Sequence, residues 1–261
     1  QLAHRGPDGD GIWADASAGI AFGFRRLAIL DTSSAGGQPM CAASGRYHMV
    51  FNGEIYNFED LRAQLIAAGQ HIESSGDTAV LLAAFDCWGV DATLRQLNGM
   101  FAIALWDVNA RVLHLIRDRV GVKPLYWGRV GDAFAFASEL SAILALPGAD
   151  KTIDPKAEQA FLSLGYVPAP LSIVKNIEKL LPGQGVTLRA GEIPKRWSWW
   201  SLAEVLAEPV PDQQDDDQVF AALLQDAVQQ RTRADVPVGA FLSGGYDSTA
   251  VAAALVVTGH K

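Results

Sequence analysis

The sequence predicts an α+β chain of layered sheets and helices that ends in the opening unit of a doubly wound α/β domain. Two observations carry this. Over the first two thirds of the chain, short β-rich apolar runs alternate with two amphipathic helical stretches, a mixture that suits layered sheets rather than a bundle. Near the C-terminal end a helical stripe, a fully apolar run, a glycine loop and a second helical run follow one another, the order in which a parallel sheet begins.

Taken in order, residues 47–51 form an apolar run that ends in the turn-like Asn52-Gly53. Asn57 then opens a helical pattern with Phe58, Leu61, Leu65 and Ala68 on one face, and Gly69 stands where a helix end wants a left-handed residue. A second apolar-faced helix is predicted over 78–88, closed by Gly89. Residues 100–106 and 112–116 read as strands of an antiparallel hairpin turning through Asp107, Asn109 and Ala110, and 134–137 as a further short strand. Pro209, Pro211 and the acidic run Asp215, Asp216, Asp217 break all periodicity, which predicts a linker over 207–217 between a domain at 1–206 and the start of a second at 218–261. Beyond it, Val219, Phe220, Leu223, Leu224, Ala227 and Val228 make a helical stripe, 236–242 reads as a buried parallel strand, and 249–257 as a helix.

The bulk properties narrow the function classes. With 261 residues and 49% hydrophobic content the chain can bury a core, and its net charge of −8 offers no basic field for nucleic acid or an acidic membrane surface. No apolar run approaches the ~20 residues that span a bilayer. Cys41 and Cys87 stand in unrelated segments, so they are expected to be small buried thiols in a reducing cytoplasm rather than a disulfide. Gln1, in place of a methionine, reads as an interior position of a longer protein.

Ser243-Gly244-Gly245-Tyr246-Asp247-Ser248 lies between the apolar run and the last helix. A glycine loop leading into a helix aims several N–H groups and the positive end of the helix dipole at one point, which suits a phosphate or pyrophosphate. On spacing alone an ordinary turn capped by Ser248 or Asp247 remains equally open. The stretch resembles the Ser-Gly-Gly-x-Asp-Ser loop of ATP pyrophosphatases, with Tyr246 where an aliphatic residue is usual. The resemblance implies that Ser243, Gly244, Gly245, Asp247 and Ser248 bind phosphate of ATP, with the Leu242 backbone near the nucleotide and Asp247 as a ligand for Mg2+.

At the other end stand His4-Arg5-Gly6-Pro7-Asp8-Gly9, Arg25-Arg26-Leu27-Ala28-Ile29, Asn52-Gly53-Glu54-Ile55-Tyr56-Asn57 and Gly76-Asp77-Thr78, followed by Arg117-Asp118-Arg119, Lys123-Pro124-Leu125-Tyr126 and Ala137-Ser138-Glu139. In this fixed order they resemble the glutaminase domain of class II amidotransferases, and with the phosphate loop the chain is similar to the asparagine synthetase family over essentially its whole length. The resemblance implies an N-terminal-nucleophile-type αββα four-layer domain. Free glutamine carries a carboxylate and an ammonium that must both be paired: Arg26 suits the carboxylate, Asp77 with Glu54 and Gly76 beside it the ammonium, and the Asn52 amide with the Gly53 N–H an oxyanion hole. Singly, Asn52-Gly53 reads as well as a hairpin turn, Asp77 as a helix cap and Arg26 as a solvated charge. His4 and Arg5 read as structural.

The family's nucleophile is an N-terminal cysteine whose α-amine, with a pKa of about 7.7–8.0, serves as general base. Neither Cys41 nor Cys87 has such an amine, so the chain by itself is expected not to cleave glutamine. The resemblance implies glutamine, ATP and aspartate as partners, ammonia passed between the two sites with 117–126 facing the second domain, and allows a homodimer. Two alternatives stay open: a relative that acts on another carboxylate, and a glutamine-binding homologue without catalysis.

Overall fold

The computed structural model describes residues 1–209 and 216–259. β1 (Gly9–Asp15) and β2 (Ile20–Arg26) form an antiparallel hairpin. β3 (Met40–Cys41) pairs with the long β4 (Tyr47–Ile55), and α1 (Phe58–Ala67), α2 (Asp77–Trp88) and α3 (Val90–Gln96) follow. β5 (Gly99–Asp107) and β6 (Val112–Arg117) make the expected hairpin. Next come β7 (Tyr126–Val130), β8 (Ala133–Ala137), α4 (Leu140–Leu144) and α5 (Pro155–Leu164), then β9 (Ile177–Lys179), β10 (Gln184–Leu188), β11 (Lys195–Ser198) and α6 (Leu202–Ala207). α7 (Asp216–Gln230) and α8 (Tyr246–Val257) complete the described elements.

Among the described residues the strands form three antiparallel sheets: β1-β2, a central β11-β10-β6-β5-β4-β3, and β8-β7-β9. Strand side chains alternate between faces, and here both faces of the central sheet are apolar. Phe101, Ile103 and Leu105 of β5 pack with Leu61 and Leu65 of α1 and Val80, Leu81 and Phe85 of α2. Ala102, Ala104 and Trp106 on the opposite face pack with Phe22 of β2, Trp127 of β7 and Leu125. Behind the three-stranded sheet, Val130 and Ile177 pack with Ile143 of α4. The order is helix, sheet, sheet, helix, the expected αββα arrangement, and it explains why β5 is buried almost end to end instead of alternating apolar with polar.

The structure departs from expectation at several points. β4 runs straight through Asn52-Gly53 to Ile55, so that pair is mid-strand and not a turn, held extended by nine-residue pairing with β5. Ala68 is exposed, whereas Phe58, Leu61 and Leu65 are buried. Cys41, on the edge strand β3, and Cys87, on the outer side of α2, are both exposed rather than buried. The expected strand over 236–242 does not form: Phe241 is 99% exposed, because a parallel strand exists only where neighbours accept its hydrogen bonds, and no strand among the described residues lies beside it. Most of the expected linker lies outside the described residues.

Candidate functional site

The outer edge of β4 sets the site. Phe101 of β5 turns both its backbone groups toward β6: its N–H donates to the Asp118 carboxylate at 3.2 Å and its carbonyl accepts the Asp118 N–H at 2.9 Å. In an antiparallel ladder the residue opposite must then direct its own N–H and C=O away, and that residue is Gly53. Phe51, Gly53 and Ile55 therefore present their N–H groups along the free edge of β4. Two of the three are capped by side chains. The Gln38 carboxamide takes the Phe51 N–H at 2.7 Å and returns an N–H to the Phe51 carbonyl at 3.1 Å, and Asp77 Oδ2 takes the Ile55 N–H at 2.9 Å. The Gly53 N–H between them has no partner among the described residues and opens on a cavity of about 620 Å3.

Glycine at 53 answers to packing. A Cβ there would collide with the Met100 carbonyl oxygen and lie 2.8 Å from Phe101 Cα and 2.9 Å from Phe51 Cε2, so the close approach that calls for glycine is to β5. Asn52 and Glu54 point from the strand face that meets the second sheet, where Asn52 Nδ2 donates to Ser138 Oγ at 3.3 Å.

Arg26, Asn52, Gly53, Glu54 and Asp77 all line the cavity. Asp77 is the first residue of α2 and 5% exposed; Gly76, not Asp77, is the cap residue. Burial pushes its carboxyl above the ordinary range, against the lowering effect of the Ile55 and Thr78 N–H groups. Burial likewise raises Glu54, opposed by the Lys123 ammonium and reinforced by the Asp77 charge. Lys123, which the sequence reading gave no role in the site, is thus a cavity residue whose charge acts on Glu54. Gly76 stands behind the cavity, its N–H given to Ser74 Oγ at 3.1 Å and its carbonyl taken by Arg62 at 3.3 Å, so it shapes the site without lining it.

Arg26 ends β2, where its carbonyl accepts the Asp8 N–H at 2.9 Å. Its guanidinium is not solvated at random: Nη1 donates to the Ser33 carbonyl at 2.6 Å and Nη2 to the Asp31 carbonyl. Asp31 adopts a φ of +47°, a left-handed conformation that Asp tolerates, and this turns its carbonyl to the arginine. Its carboxylate accepts the hydroxyls of Ser33, at 2.5 Å, and of Ser74, and these hold it down to about 2. Asp31, Ser74 and Gln38 were not legible as site residues; an Asp-x-Ser pattern at 31–33 was the one available signal, as an Asx turn.

His4 Nε2 and Arg5 Nη1 meet Glu139 Oε1 at 3.0 and 3.2 Å, which ties the first turn to the end of β8. At the other end of the chain, Gly244 takes a φ of +82° and Gly245 caps α8 through its backbone alone, so neither Ser248 nor Asp247 is the cap. The Ser243 and Ser248 hydroxyls meet at 3.0 Å, and Ser248 donates to the Gly245 carbonyl at 3.1 Å. Leu242 and Tyr246 are exposed, Tyr246 at 97%. Among the described residues no group of three or more His, Cys, Asp or Glu is placed to hold a metal ion, and no helix is long and apolar enough to cross a membrane.

Residues 1–200 match the glutamine amidotransferase domain family, and residues 219–258 match the asparagine synthase family. The chain is 38% identical over 252 residues to asparagine synthetase (glutamine-hydrolyzing) 1 of Bacillus subtilis, strain 168, covering 95% of this chain and 38% of that protein. It is 38% identical over 263 residues to asparagine synthetase (glutamine-hydrolyzing) 3 of the same strain, covering 99% and 41%. The chain therefore spans about two fifths of the length of these relatives. Among solved structures it is similar to glutamine phosphoribosylpyrophosphate amidotransferase from B. subtilis complexed with ADP and GMP, with a TM-score of 0.49 and 20% identity over 92% of this chain and 50% of that one.

Proposed function

Because this chain belongs to the glutamine amidotransferase family, we propose that the cavity beside β4 binds L-glutamine and is built to hold the oxyanion that forms when its side-chain amide is attacked. The observation that carries this is the open Gly53 N–H, aimed into the cavity from a strand edge whose neighbouring N–H groups are capped. A preorganised donor of that kind, with the Asn52 amide beside it, is what a tetrahedral oxyanion requires. Asp77 and Glu54 supply negative charge for the ammonium, and the unused N–H groups of Arg26 a fork for the carboxylate. Neither Cys41 nor Cys87 lines the cavity, so the proposal gives neither of them the nucleophile's role.

For the parent protein we read the reaction as L-aspartate + L-glutamine + ATP + H2O to L-asparagine + L-glutamate + AMP + diphosphate, ammonia attacking a β-aspartyl-adenylate. Support comes from the match of residues 219–258 and the names of the relatives. In this reading residues 1–206 form the glutamine domain, 207–217 a linker and 218–261 the start of the ATP domain. Ser243, Gly244, Gly245 and Ser248 cradle phosphate, with the Leu242 backbone nearby. Magnesium commonly binds through one or two carboxylates plus substrate phosphates, so Asp247 by itself fits an ion that arrives with ATP.

Calorimetric titration of the chain with L-glutamine, beside Asp77→Ala and with an assay for released glutamate, tests the glutamine site. Binding without glutamate release in the unsubstituted 261-residue chain, lost in the variant, is expected. A chain shown by circular dichroism to be folded, yet silent toward glutamine, overturns the site.

A further inference from the structure

The segment that leads to the phosphate loop is hydrogen-bonded to the 29–31 turn, whose Ile29 and Leu30 line the cavity, and to the chain around Tyr56. The Asp235 N–H donates to the Ile29 carbonyl at 2.9 Å, and Asp235 Oδ2 accepts the Asp31 N–H at 2.7 Å. One residue thus grips the 29–31 turn by an acceptor and a donor on either side of Leu30. Nearby in sequence, Arg233 Nη1 meets Glu59 Oε2 at 2.8 Å and the Tyr56 carbonyl at 3.3 Å, and the Arg231 guanidinium lies 4.5 Å over the Tyr56 ring. Asn98 Nδ2 donates to Gln230 Oε1 at 2.8 Å.

The 29–31 turn is what aims Arg26. The Asp31 carbonyl holds Nη2, the Ser33 carbonyl holds Nη1, and the Asp31 carboxylate fixes Ser33 and Ser74, whose hydroxyl oxygen in turn receives the Gly76 N–H just before Asp77. Asp takes left-handed backbone more readily than most residues, yet at Asp31 that conformation still costs energy and is held by its surroundings. Asp235 supplies part of that determination from outside the turn.

We propose that Asp235 is a positioning residue for the glutamine site, holding the 29–31 turn so that the Arg26 fork faces the substrate carboxylate. The proposal rests on the reading that Arg26 binds that carboxylate. Asp235 lies eight residues ahead of Ser243, so the glutamine clamp is completed by the stretch of chain that carries the phosphate loop.

The test is a set of glutamine titrations on the chain and on Asp235→Ala, Asp235→Asn, Arg26→Ala and the Arg26→Ala/Asp235→Ala pair, each checked for an unchanged melting transition. Losing one such hydrogen bond weakens binding by about five-fold, so Asp235→Ala is expected to raise the glutamine Kd by that factor. Asp235→Asn keeps an oxygen for the Asp31 N–H and stays near the parent value. On the Arg26→Ala background the Asp235→Ala loss disappears, since the group it positions is gone. A five-fold loss that persists there marks a general structural role and overturns the proposal, as does Asp235→Ala binding like the parent. If Arg26→Ala itself leaves glutamine binding intact, the Arg26 reading falls and this inference with it; if Arg26→Ala weakens binding and Asp235→Ala does not, only this inference falls.

Discussion

The Asp77 carboxylate caps the Ile55 N–H at 2.9 Å, two residues along the strand edge from the open Gly53 N–H. One acid therefore finishes the strand and charges the cavity. Asp77→Ala leaves a buried donor unpaired, at a cost of about 1–3 kcal/mol. A stability loss of that size in urea unfolding, together with the loss of glutamine binding, is expected. Asp77→Asn keeps an oxygen for Ile55, so it should recover most of the stability and little of the binding. Equal stability in all three proteins would show that the cap contributes nothing.

Glutamine affinity should fall with pH well before ordinary carboxylates titrate. Burial raises both Asp77 and Glu54, and an ammonium favours their charged forms, so binding expels the protons they still hold. Titrations at stepwise lower pH, carried down to the ordinary carboxylate range, in buffers of different ionisation enthalpy, should show weakening affinity and proton release. For stability the sign is opposite: acids whose folded pKa is raised cost stability as pH rises from the ordinary value through the raised one. Asp31, held to about 2, contributes stability above its ordinary 3.8 that is lost only as pH falls from there toward 2. The 29–31 turn thus stays latched while Asp77 and Glu54 titrate.

Gly53→Ala tests the strand packing itself. The added methyl would meet Phe101 Cα at 2.8 Å and Phe51 Cε2 at 2.9 Å, and β5 is pinned on its far side by Asp118. The change should cost about 1–3 kcal/mol as overpacking does and turn the Gly53 N–H off the cavity. A melting curve and a glutamine titration both report it; an unshifted melting temperature would mean that β4 has room to move.

What the sequence made legible was whatever local chemistry decides. α1 and α2 were readable because Phe58, Leu61 and Leu65 recur at helical spacing and Gly69 and Gly89 take φ of +84° and +78° where the helices end. The β5–β6 hairpin was readable from its apolar runs and from Asp107, whose carboxylate caps the Ala110 N–H at 2.9 Å. β1–β2 was not, since Gly9, Gly11 and Gly23 interrupt the side-chain alternation of its strands. Residues 236–242 misled because an apolar run states what could be buried and not whether neighbours exist to bury it. Around the cavity, charge types pointed to Arg26, Glu54 and Asp77, while Gln38 and Asp235 act on backbone groups and the Asp31 carboxylate on the hydroxyls of Ser33 and Ser74. Asp235 and Asp31 are 204 positions apart, and no local pattern carries such a pairing.

The last expectation concerns Asp118, which is 0% exposed and gathers four backbone N–H groups: Phe101 at 3.2 Å, Val120 at 3.2 Å, Val122 at 2.9 Å and Lys123 at 3.0 Å. Each oxygen takes two of them, so the carboxylate folds the 118–123 loop and delivers Lys123 to the cavity beside Glu54. Asp118→Asn is nearly isosteric, yet its amide nitrogen must face two donors where an oxygen stood. With each of the two unpaired donors costing about 1–3 kcal/mol, the variant should lose roughly 2–6 kcal/mol in urea unfolding. Loosening Lys123 removes the charge that lowers Glu54, so the pH at which glutamine binding is lost should also move up. A variant with parent stability would mean that the loop is held by Arg117, whose guanidinium already reaches the Gly121 and Lys123 carbonyls at 2.7 and 2.8 Å, and Arg117→Ala would then carry the destabilisation instead.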